Sequence, residues 1–255
     1  SMTRGLGPCM KGGDIGIAQL IASVKQAEAD GAVDSLANLA DDRAWIVHAT
    51  LDEAVAEPVS QAALAFYAEF MPRESIEYVG DVEAAHGFPT LKTGVSCIEM
   101  ASPYLNACNY DAAGKLLAAV YGEIEPGVAA AGELKKISQP GADDATMLDH
   151  ALLYVPGSCA DGEACGLHVA LHGGLQSAEF IGDVFAVGAG YNEWAEANRV
   201  LVLYPQVASS KIAPLNPMGC WDWWGYTDDT YATKAGPQVK VIKATMDALA
   251  GRTLP

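Results

Sequence analysis

Basic residues are scarce in this chain of 255 residues. Fifteen Lys and Arg stand against 32 Asp and Glu, which gives a formal net charge of −17. Nucleic acids and anionic membrane surfaces attract cationic side chains, so this balance argues against both as partners. Long apolar runs are also missing, because no stretch reaches the roughly 20 residues of a transmembrane helix. We therefore expect no nucleic-acid partner and no membrane partner.

Two short motifs are absent as well. No Gly-x-Ser-x-Gly motif occurs, which is the turn on which many hydrolases carry a nucleophilic serine. Ser158 and Ser177 lack the flanking glycines of this motif. No CxxC pair occurs either, and the cysteines that lie close together do not have the spacing of a metal or redox pair. The sequence therefore predicts no metal site and no cofactor, and it leaves the nucleophile unassigned.

The six cysteines fall into two close pairs and two single residues. Cys97 and Cys108 flank a short polar loop, and Cys159 and Cys165 flank another. Two loop-closing disulfides are the better interpretation, and they imply an oxidising compartment, so we expect a secreted or periplasmic protein. The two single residues could pair with each other, or each could lack a partner: they are Cys9 and Cys220.

The chain has no repeat and no clear linker, which predicts a single domain over residues 1–255. Strands alternate with helices, the pattern of a mostly parallel α/β sheet. Residues 123–145 are acidic and are expected to be irregular. The predicted strands are 45–49, 76–79, 152–156, 167–171 and 200–205, and the predicted helices are within 14–39 and at 58–71, 109–121, 184–197 and 237–250.

An acid and a base candidate follow two neighbouring strands. Asp52 comes shortly after the first strand, where hydrolases place the acid that orients a histidine. Its alternative role is to cap a following helical turn. His86 lies in a loop marked by Gly87 and Pro89 after the next strand, a position typical of a catalytic base. Its alternative is a surface or capping histidine.

The segment His172-Gly173-Gly174 follows a buried apolar strand. Such a loop can turn a backbone N–H toward an oxyanion, although it could also be an ordinary tight turn. His168 lies inside the strand and is expected to be a core residue. In the usual α/β-hydrolase order this loop precedes the nucleophile, the acid and the histidine, whereas here it follows the last two. The order therefore suggests a circularly permuted hydrolase.

An aromatic cluster, Trp221-Asp-Trp-Trp-Gly-Tyr, follows Asn216-Pro-Met-Gly-Cys. Aromatic side chains at the mouth of a cleft suit an apolar, carbonyl-bearing substrate. The alternative is a buried aromatic cluster under a long loop. We predict that Trp221, Trp223 and Asn216 contribute to substrate binding.

As a set, these segments resemble the extracellular poly(3-hydroxybutyrate) depolymerases with a circularly permuted catalytic domain. The resemblance runs from about residue 9 to the end. It rests on Leu167-His-Val-Ala-Leu-His-Gly-Gly-Leu-Gln-Ser, Gly190-Tyr-Asn-Glu-Trp-Ala, Val202-Leu-Tyr-Pro-Gln, Asn216-Pro-Met-Gly-Cys-Trp-Asp-Trp, Ser102-Pro-Tyr-Leu-Asn-Ala-Cys-Asn-Tyr-Asp and His86-Gly-Phe-Pro-Thr.

The resemblance implies a role for each matching position. Asp52 would be the acid and His86 the base, and the N–H of Gly174 would be one oxyanion donor. Trp223 would line the substrate crevice. Cys97–Cys108 and Cys159–Cys165 would be family disulfides, and the implied substrate is a polyester polymer or oligomer.

The chain also departs from the family pattern. The family usually has a cysteine at the position of Gly174, paired with the one that matches Cys220, so we expect Cys220 to be free. The family's nucleophile elbow lies upstream of the region around Cys9, whose usual partner is upstream too. Ser1-Met2 is typical of a protease-cleavage scar. We expect the serine to be supplied from outside these 255 residues, for instance by a separate N-terminal fragment, and this chain alone to be inactive.

The expected function is ester hydrolysis of poly(3-hydroxybutyrate) or a related short-chain polyhydroxyalkanoate. Two alternatives remain open. One is a carboxylesterase of the feruloyl or acetyl-xylan type on the same scaffold. The other is a non-catalytic polymer-binding protein that has lost its nucleophile elbow.

Overall fold

The computed structural model describes residues 2–160 and 164–250. None of the helices in these ranges combines the length and apolar character needed to cross a membrane. The helices are α1 (Met2–Leu6), α2 (Pro8–Lys11), α3 (Ile17–Ala29), α4 (Glu57–Tyr67), α5 (Ala112–Tyr121), α6 (Gly157–Ala160), α7 (Ala178–Ile181), α8 (Val184–Gly188), α9 (Tyr191–Asn198) and α10 (Pro237–Ala250). The strands are β1 (Ala44–Ala49), β2 (Ile76–Val82), β3 (Phe88–Thr90), β4 (Val95–Ser96), β5 (Leu105–Ala107), β6 (Glu133–Ser138), β7 (His150–Val155), β8 (Gly166–Val169) and β9 (Val200–Tyr204).

The strands form three sheets, and parallel pairs are in the majority. The four-stranded sheet has the order β6-β7-β9-β8, in which β8 runs parallel to β9 while β7 is antiparallel to both of its neighbours. β1 and β2 form a separate parallel pair, and the short strands form a third, parallel sheet in the order β3-β5-β4. Within the described ranges, β8 and β1 each have a paired neighbour on one side only.

Both faces of the central strand β7 are buried. Leu152 and Tyr154 of β7 face a core that α5, α8 and α9 complete. The alternate residues Leu153 and Val155 face the opposite core, against which Leu249 of α10 packs. Because side chains alternate along a strand, near-continuous apolar runs are what a sheet covered on both faces requires.

Two sequence expectations about secondary structure were wrong. Residues 133–138 form β6, an edge strand antiparallel to β7, inside the region expected to be irregular. Because this strand is buried on one face at most, most of its side chains are polar, and the hydrophobic pattern did not indicate a strand. The expected helix at 184–197 is two helices, α8 and α9, because Gly190 adopts a positive φ of 96° where α9 begins.

Both expected disulfides are present. Cys97 is bonded to Cys108 in the loop that holds β4 and β5, and Cys159 is bonded to Cys165 between α6 and β8. Cys9 and Cys220 carry free thiols. The pairing therefore follows the spacing of the cysteines along the chain.

Candidate active site

Asp52 makes both kinds of contact that the sequence left open, one to the backbone that follows it and one to His86. Its Oδ1 accepts hydrogen bonds from the backbone N–H groups of Ala54 and Val55, each at 2.8 Å, as a capping carboxylate does. Its Oδ2 lies 2.9 Å from Nδ1 of His86. Burial raises the pKa of Asp52, but the hydrogen bonds from His86 and from the backbone outweigh burial, so the net pKa lies below the usual value. The carboxyl group is thus held ionised.

His86 is oriented by this carboxylate. An ionised carboxylate only accepts hydrogen bonds, so Nδ1 carries the proton and Nε2 has the free lone pair. The bond to Asp52 raises the pKa of His86, and burial opposes that shift. The ring is 42% exposed, whereas the Asp52 side chain is 12% exposed. Within residues 2–160 and 164–250, the bond to Asp52 is the one hydrogen bond of this ring.

The loop after β8 leaves one backbone donor free. The N–H of Gly173 bonds to Oε1 of Gln176 at 2.8 Å, and the N–H of Leu175 bonds to the carbonyl of Met218 at 2.7 Å. The N–H of Gly174, between them, has no hydrogen-bond partner in the described part of the chain. An unpaired N–H at such a place can bind a developing oxyanion.

His172 holds this loop through a hydrogen bond to the carbonyl of Gly173. The N–H of Val207 donates to its Nε2 at 3.2 Å, so Nδ1 carries the proton and donates to the carbonyl of Gly173 at 2.7 Å. Burial lowers the pKa of His172, which keeps the ring neutral. In a trans peptide the C=O and N–H point in opposite directions. The anchored carbonyl of Gly173 therefore directs the N–H of Gly174 away from His172.

A cavity of about 830 Å³ joins these parts. His86, Gly174 and Trp223 all line it, and the rest of its wall is mainly apolar. That size and lining suit a small ester or a short stretch of polymer. Among the apolar and aromatic residues of the wall are Met100, Tyr104, Leu171, Leu175, Phe185 and Met218.

Trp223 is presented by a tightly bonded turn. One carboxylate oxygen of Asp222 accepts the N–H groups of Gly225 and Tyr226, at 2.7 and 3.0 Å, and the other accepts the N–H of Thr227 at 2.8 Å. Gly5 of α1 lies against the indole, since a Cβ there would be 1.9 Å from a ring carbon of Trp223. The indole is nevertheless 40% exposed.

Trp221 and Asn216, also predicted to bind substrate, lie behind the wall of the cavity. Trp221 donates from Nε1 to the carbonyl of His172 at 2.8 Å. Asn216 is fully buried and bonds to both the carbonyl and the N–H of Cys220, at 2.9 Å each. Neither residue lines the cavity that holds His86. Both side chains support the loops that form the wall.

The two free thiols belong to the same cavity. Cys9 and Cys220 both line it. A Cβ built on Gly174 would lie 2.9 Å from Sγ of Cys220, which is within the reach of a disulfide if residue 174 were a cysteine. Burial raises the pKa of Cys220, so its thiol is poorly reactive. His168, expected to be a core residue, is only half-buried: its Nδ1 lies 3.1 Å from the hydroxyl of Tyr121, and the ring lines a second, smaller cavity. Burial lowers its pKa to about 4.

Sequence reasoning missed two residues of this region. Asp222 begins a turn that reaches Gly225, a spacing typical of turn formation that could have indicated its role. Gln176 bonds to both the Gly173–Gly174 loop and the segment at Pro103. Nothing local in the sequence points to that contact. No cluster of three or more metal-binding side chains occurs in the described residues.

Comparison with known proteins gives related sequences and a related structure. No protein-family model matches the chain. It is 32% identical over 263 residues to a poly(3-hydroxybutyrate) depolymerase of Delftia acidovorans, covering 99% of this chain and 52% of that protein. It is 36% identical over 225 residues to a polyhydroxybutyrate depolymerase of Talaromyces funiculosus, covering 82% and 66%. The chain thus spans about half to two thirds of the length of these curated relatives.

The crystal structure of the PHB depolymerase from Penicillium funiculosum superposes with a TM-score of 0.89 at 32% identity, covering 94% of this chain and 80% of that one. The structure of a PHB depolymerase variant complexed with R3HB trimer matches with the same TM-score of 0.89. The predicted α/β-hydrolase-like fold, mostly parallel and with helices on both faces, is confirmed. The permuted order of its parts stays a prediction.

Proposed function

The chain belongs to the poly(3-hydroxybutyrate) depolymerase family, and from that premise we propose that it provides the acid, the base and one oxyanion donor of a polyester hydrolase. The observation that carries the proposal is that His86, bonded to Asp52, and the unpaired N–H of Gly174 line one apolar cavity. Its substrate would be poly(3-hydroxybutyrate) or a related short-chain polyhydroxyalkanoate, as polymer or oligomer.

Each group has a defined role in this mechanism. Nε2 of His86 removes the proton from an attacking hydroxyl and later donates it to the departing alkoxide. Asp52 keeps the ring in the required tautomer and stabilises the imidazolium that forms. The N–H of Gly174 donates to the oxyanion of the tetrahedral intermediate. Trp223 and its apolar neighbours pack against the methyl groups of the substrate.

We further propose that the nucleophilic serine comes from a segment beyond these 255 residues, either continuous with the chain or a separate N-terminal fragment. Two observations support this. Nε2 of His86 has no hydroxyl bonded to it among the described residues. β8 and β1, whose following loops carry Gly174 and Asp52, each lack a paired strand on one side in the described ranges. An additional strand between them would bring a serine close to both groups.

The two disulfides fit an extracellular enzyme. We propose that the protein is secreted or periplasmic and that residues 1–255 act as one domain. The permuted chain order is part of the same proposal.

Binding tests the substrate class without needing the nucleophile. We expect a trimer of (R)-3-hydroxybutyrate to bind the purified chain in isothermal titration, and Trp223→Ala to weaken that binding about 10-fold through lost apolar contact. Ile212→Ala is the control, because Ile212 is 78% exposed and does not line the cavity. Binding of a feruloyl ester but not of the trimer would favour the carboxylesterase alternative instead.

Activity tests the nucleophile. We expect the purified chain to hydrolyse p-nitrophenyl butyrate no faster than buffer alone does. Turnover that is abolished by His86→Ala would show that a nucleophile lies within these residues. If the trimer binds and an added serine-bearing segment restores no turnover, the non-catalytic polymer-binding alternative is favoured.

A further inference from the structure

We propose that Gln176 is a positioning residue that links the loop of the oxyanion donor to the loop of the catalytic base. The names of the two loops rest on the proposed function, whereas the link itself does not. The oxyanion loop comprises residues 172–175, and the base loop comprises residues 86–88. Nothing in the backbone pairing joins them, because the first follows β8 of the four-stranded sheet and the second leads into β3 of a separate sheet.

The Gln176 side chain uses both ends of its amide. It is 7% exposed. Its Oε1 accepts the N–H of Gly173 at 2.8 Å, on the oxyanion loop. Its Nε2 donates to the carbonyl of Pro103 at 2.8 Å and to that of Tyr104 at 3.2 Å. One buried amide thus joins the oxyanion loop to the segment 103–104.

That segment is bonded in turn to the base loop. The carbonyl of Tyr104 also accepts the N–H of Phe88 at 2.8 Å, two residues after His86. The base loop lies close against the same segment, because a Cβ at Gly87 would be 3.0 Å from this carbonyl and 1.8 Å from Oδ1 of Asn106. The carbonyl of Tyr104 is therefore shared between Gln176 and the base loop.

The backbone on both sides of the link is strained. Tyr104 has φ of 58° and Leu175 has φ of 63°, conformations that residues other than glycine rarely adopt. Such conformations persist only where surrounding contacts hold them. Gln176 bonds to both peptides that flank Tyr104, through the carbonyls of Pro103 and Tyr104, and to the N–H of Gly173, two residues before Leu175. Loss of the amide should therefore loosen both loops together.

Amide hydrogen exchange in the free protein tests the link. Gln176→Met keeps the volume and removes all three hydrogen bonds. We expect the amides of Gly173 and Phe88 both to exchange at least about 10-fold faster, a loss of protection of about 1.4 kcal/mol or more. Gly173 loses its own acceptor, but Phe88 keeps the carbonyl of Tyr104. Faster exchange at Phe88 thus reports coupling and not merely a lost bond.

Gln139→Met is a closely matched control. Gln139 is 3% exposed, its Oε1 accepts the N–H of Gln206 at 3.0 Å, and its Nε2 donates to the carbonyls of Leu148 and Gln206 at 2.6 and 3.0 Å. It loses the same number and kind of bonds in a place that does not line the cavity. We expect it to accelerate exchange at Gln206 and to leave Phe88 within twofold of the wild type.

Gln176→Glu tests whether lowering the pH restores the link. The new side chain keeps an acceptor for Gly173, but as a carboxylate it sets a negative oxygen against the two carbonyls. Burial raises the pKa of such a group, and its protonated form regains a donor. Protection at Phe88, relative to the wild type at the same pH, should be low at pH 7.5 and recover at pH 4.5. This variant also serves if Gln176→Met fails to fold.

The link is overturned by exchange at Phe88 within twofold of the wild type in Gln176→Met, or by the same acceleration at Phe88 in Gln139→Met. Equal protection of Gln176→Glu at both pH values would overturn it as well. None of these measurements needs substrate or turnover. Failure of the link is therefore distinguishable from failure of the proposed function, which the trimer titration decides.

Discussion

The two sides of the cavity are built differently. On the acid–base side, one side-chain hydrogen bond joins Asp52 to a ring that is 42% exposed. On the oxyanion–aromatic side, buried amides and a neutral imidazole hold the backbone, and Asn216 and His172 are 0% and 3% exposed. The first side can gain and lose protons, as acid–base chemistry requires. The second side is fixed in advance, as binding of a transition-state charge requires.

Asp52→Asn should disrupt the acid–base side, and we expect it to have the largest effect of the substitutions considered. An amide can donate to Nδ1, which would favour the wrong tautomer and lower kcat about 10⁴-fold, as with other triads. The measurement is p-nitrophenyl butyrate hydrolysis with the serine-bearing segment present. In the chain alone, NMR titration should show a lower pKa for His86, because the bond to Asp52 raises it. An unchanged pKa would contradict the role given to this bond.

Asn216→Ala should disrupt the oxyanion–aromatic side by lowering the stability of the fold. The fully buried amide bonds to Cys220 and to the hydroxyl of Tyr226, and removing it leaves buried groups unpaired. We expect the free energy of unfolding in urea to fall by about 3 kcal/mol. Asn38→Ala, at an exposed position, is the control and should change it by less than about 0.5 kcal/mol. Equal effects at both sites would remove the contrast between buried and exposed amides.

The pH dependence of stability should sharpen the comparison with a smaller effect. The raised pKa of His86 stabilises the fold below 6.5, and that contribution is lost as the pH rises through the folded value. The lowered pKa of Asp52 stabilises it above 3.8, and that contribution is lost as the pH falls through the folded value.

The stability difference between the wild type and Asp52→Asn should therefore be largest between pH 3.8 and 6.5. Urea unfolding across the pH range measures it. The matching difference for Asn216→Ala should vary little, because that side chain does not titrate. A flat profile for Asp52→Asn would show that the pair contributes nothing specific to folding.

Local pattern was enough for several features. Short apolar segments predicted β1, β7, β8 and β9, and the amphipathic spacing of apolar residues predicted α10. Local pattern failed for β6, whose exposed face is polar. Cysteine spacing was enough for Cys97–Cys108 and Cys159–Cys165, since a closed loop needs only partners near in sequence. The aromatic segment predicted that Trp221 and Asn216 bind substrate, but the sequence could not distinguish a residue in the wall of the cavity from one behind it.

The order of residues along the chain determined which groups follow which strands, and thus that Asp52, His86 and Gly174 are carried on loops at strand ends. Only the tertiary structure decided which backbone N–H is left unpaired and which side chains hold it there. Gln176 illustrates the reason: its three partners lie 3, 72 and 73 residues away. Contacts of that separation depend on how the sheets pack, and no local pattern encodes them.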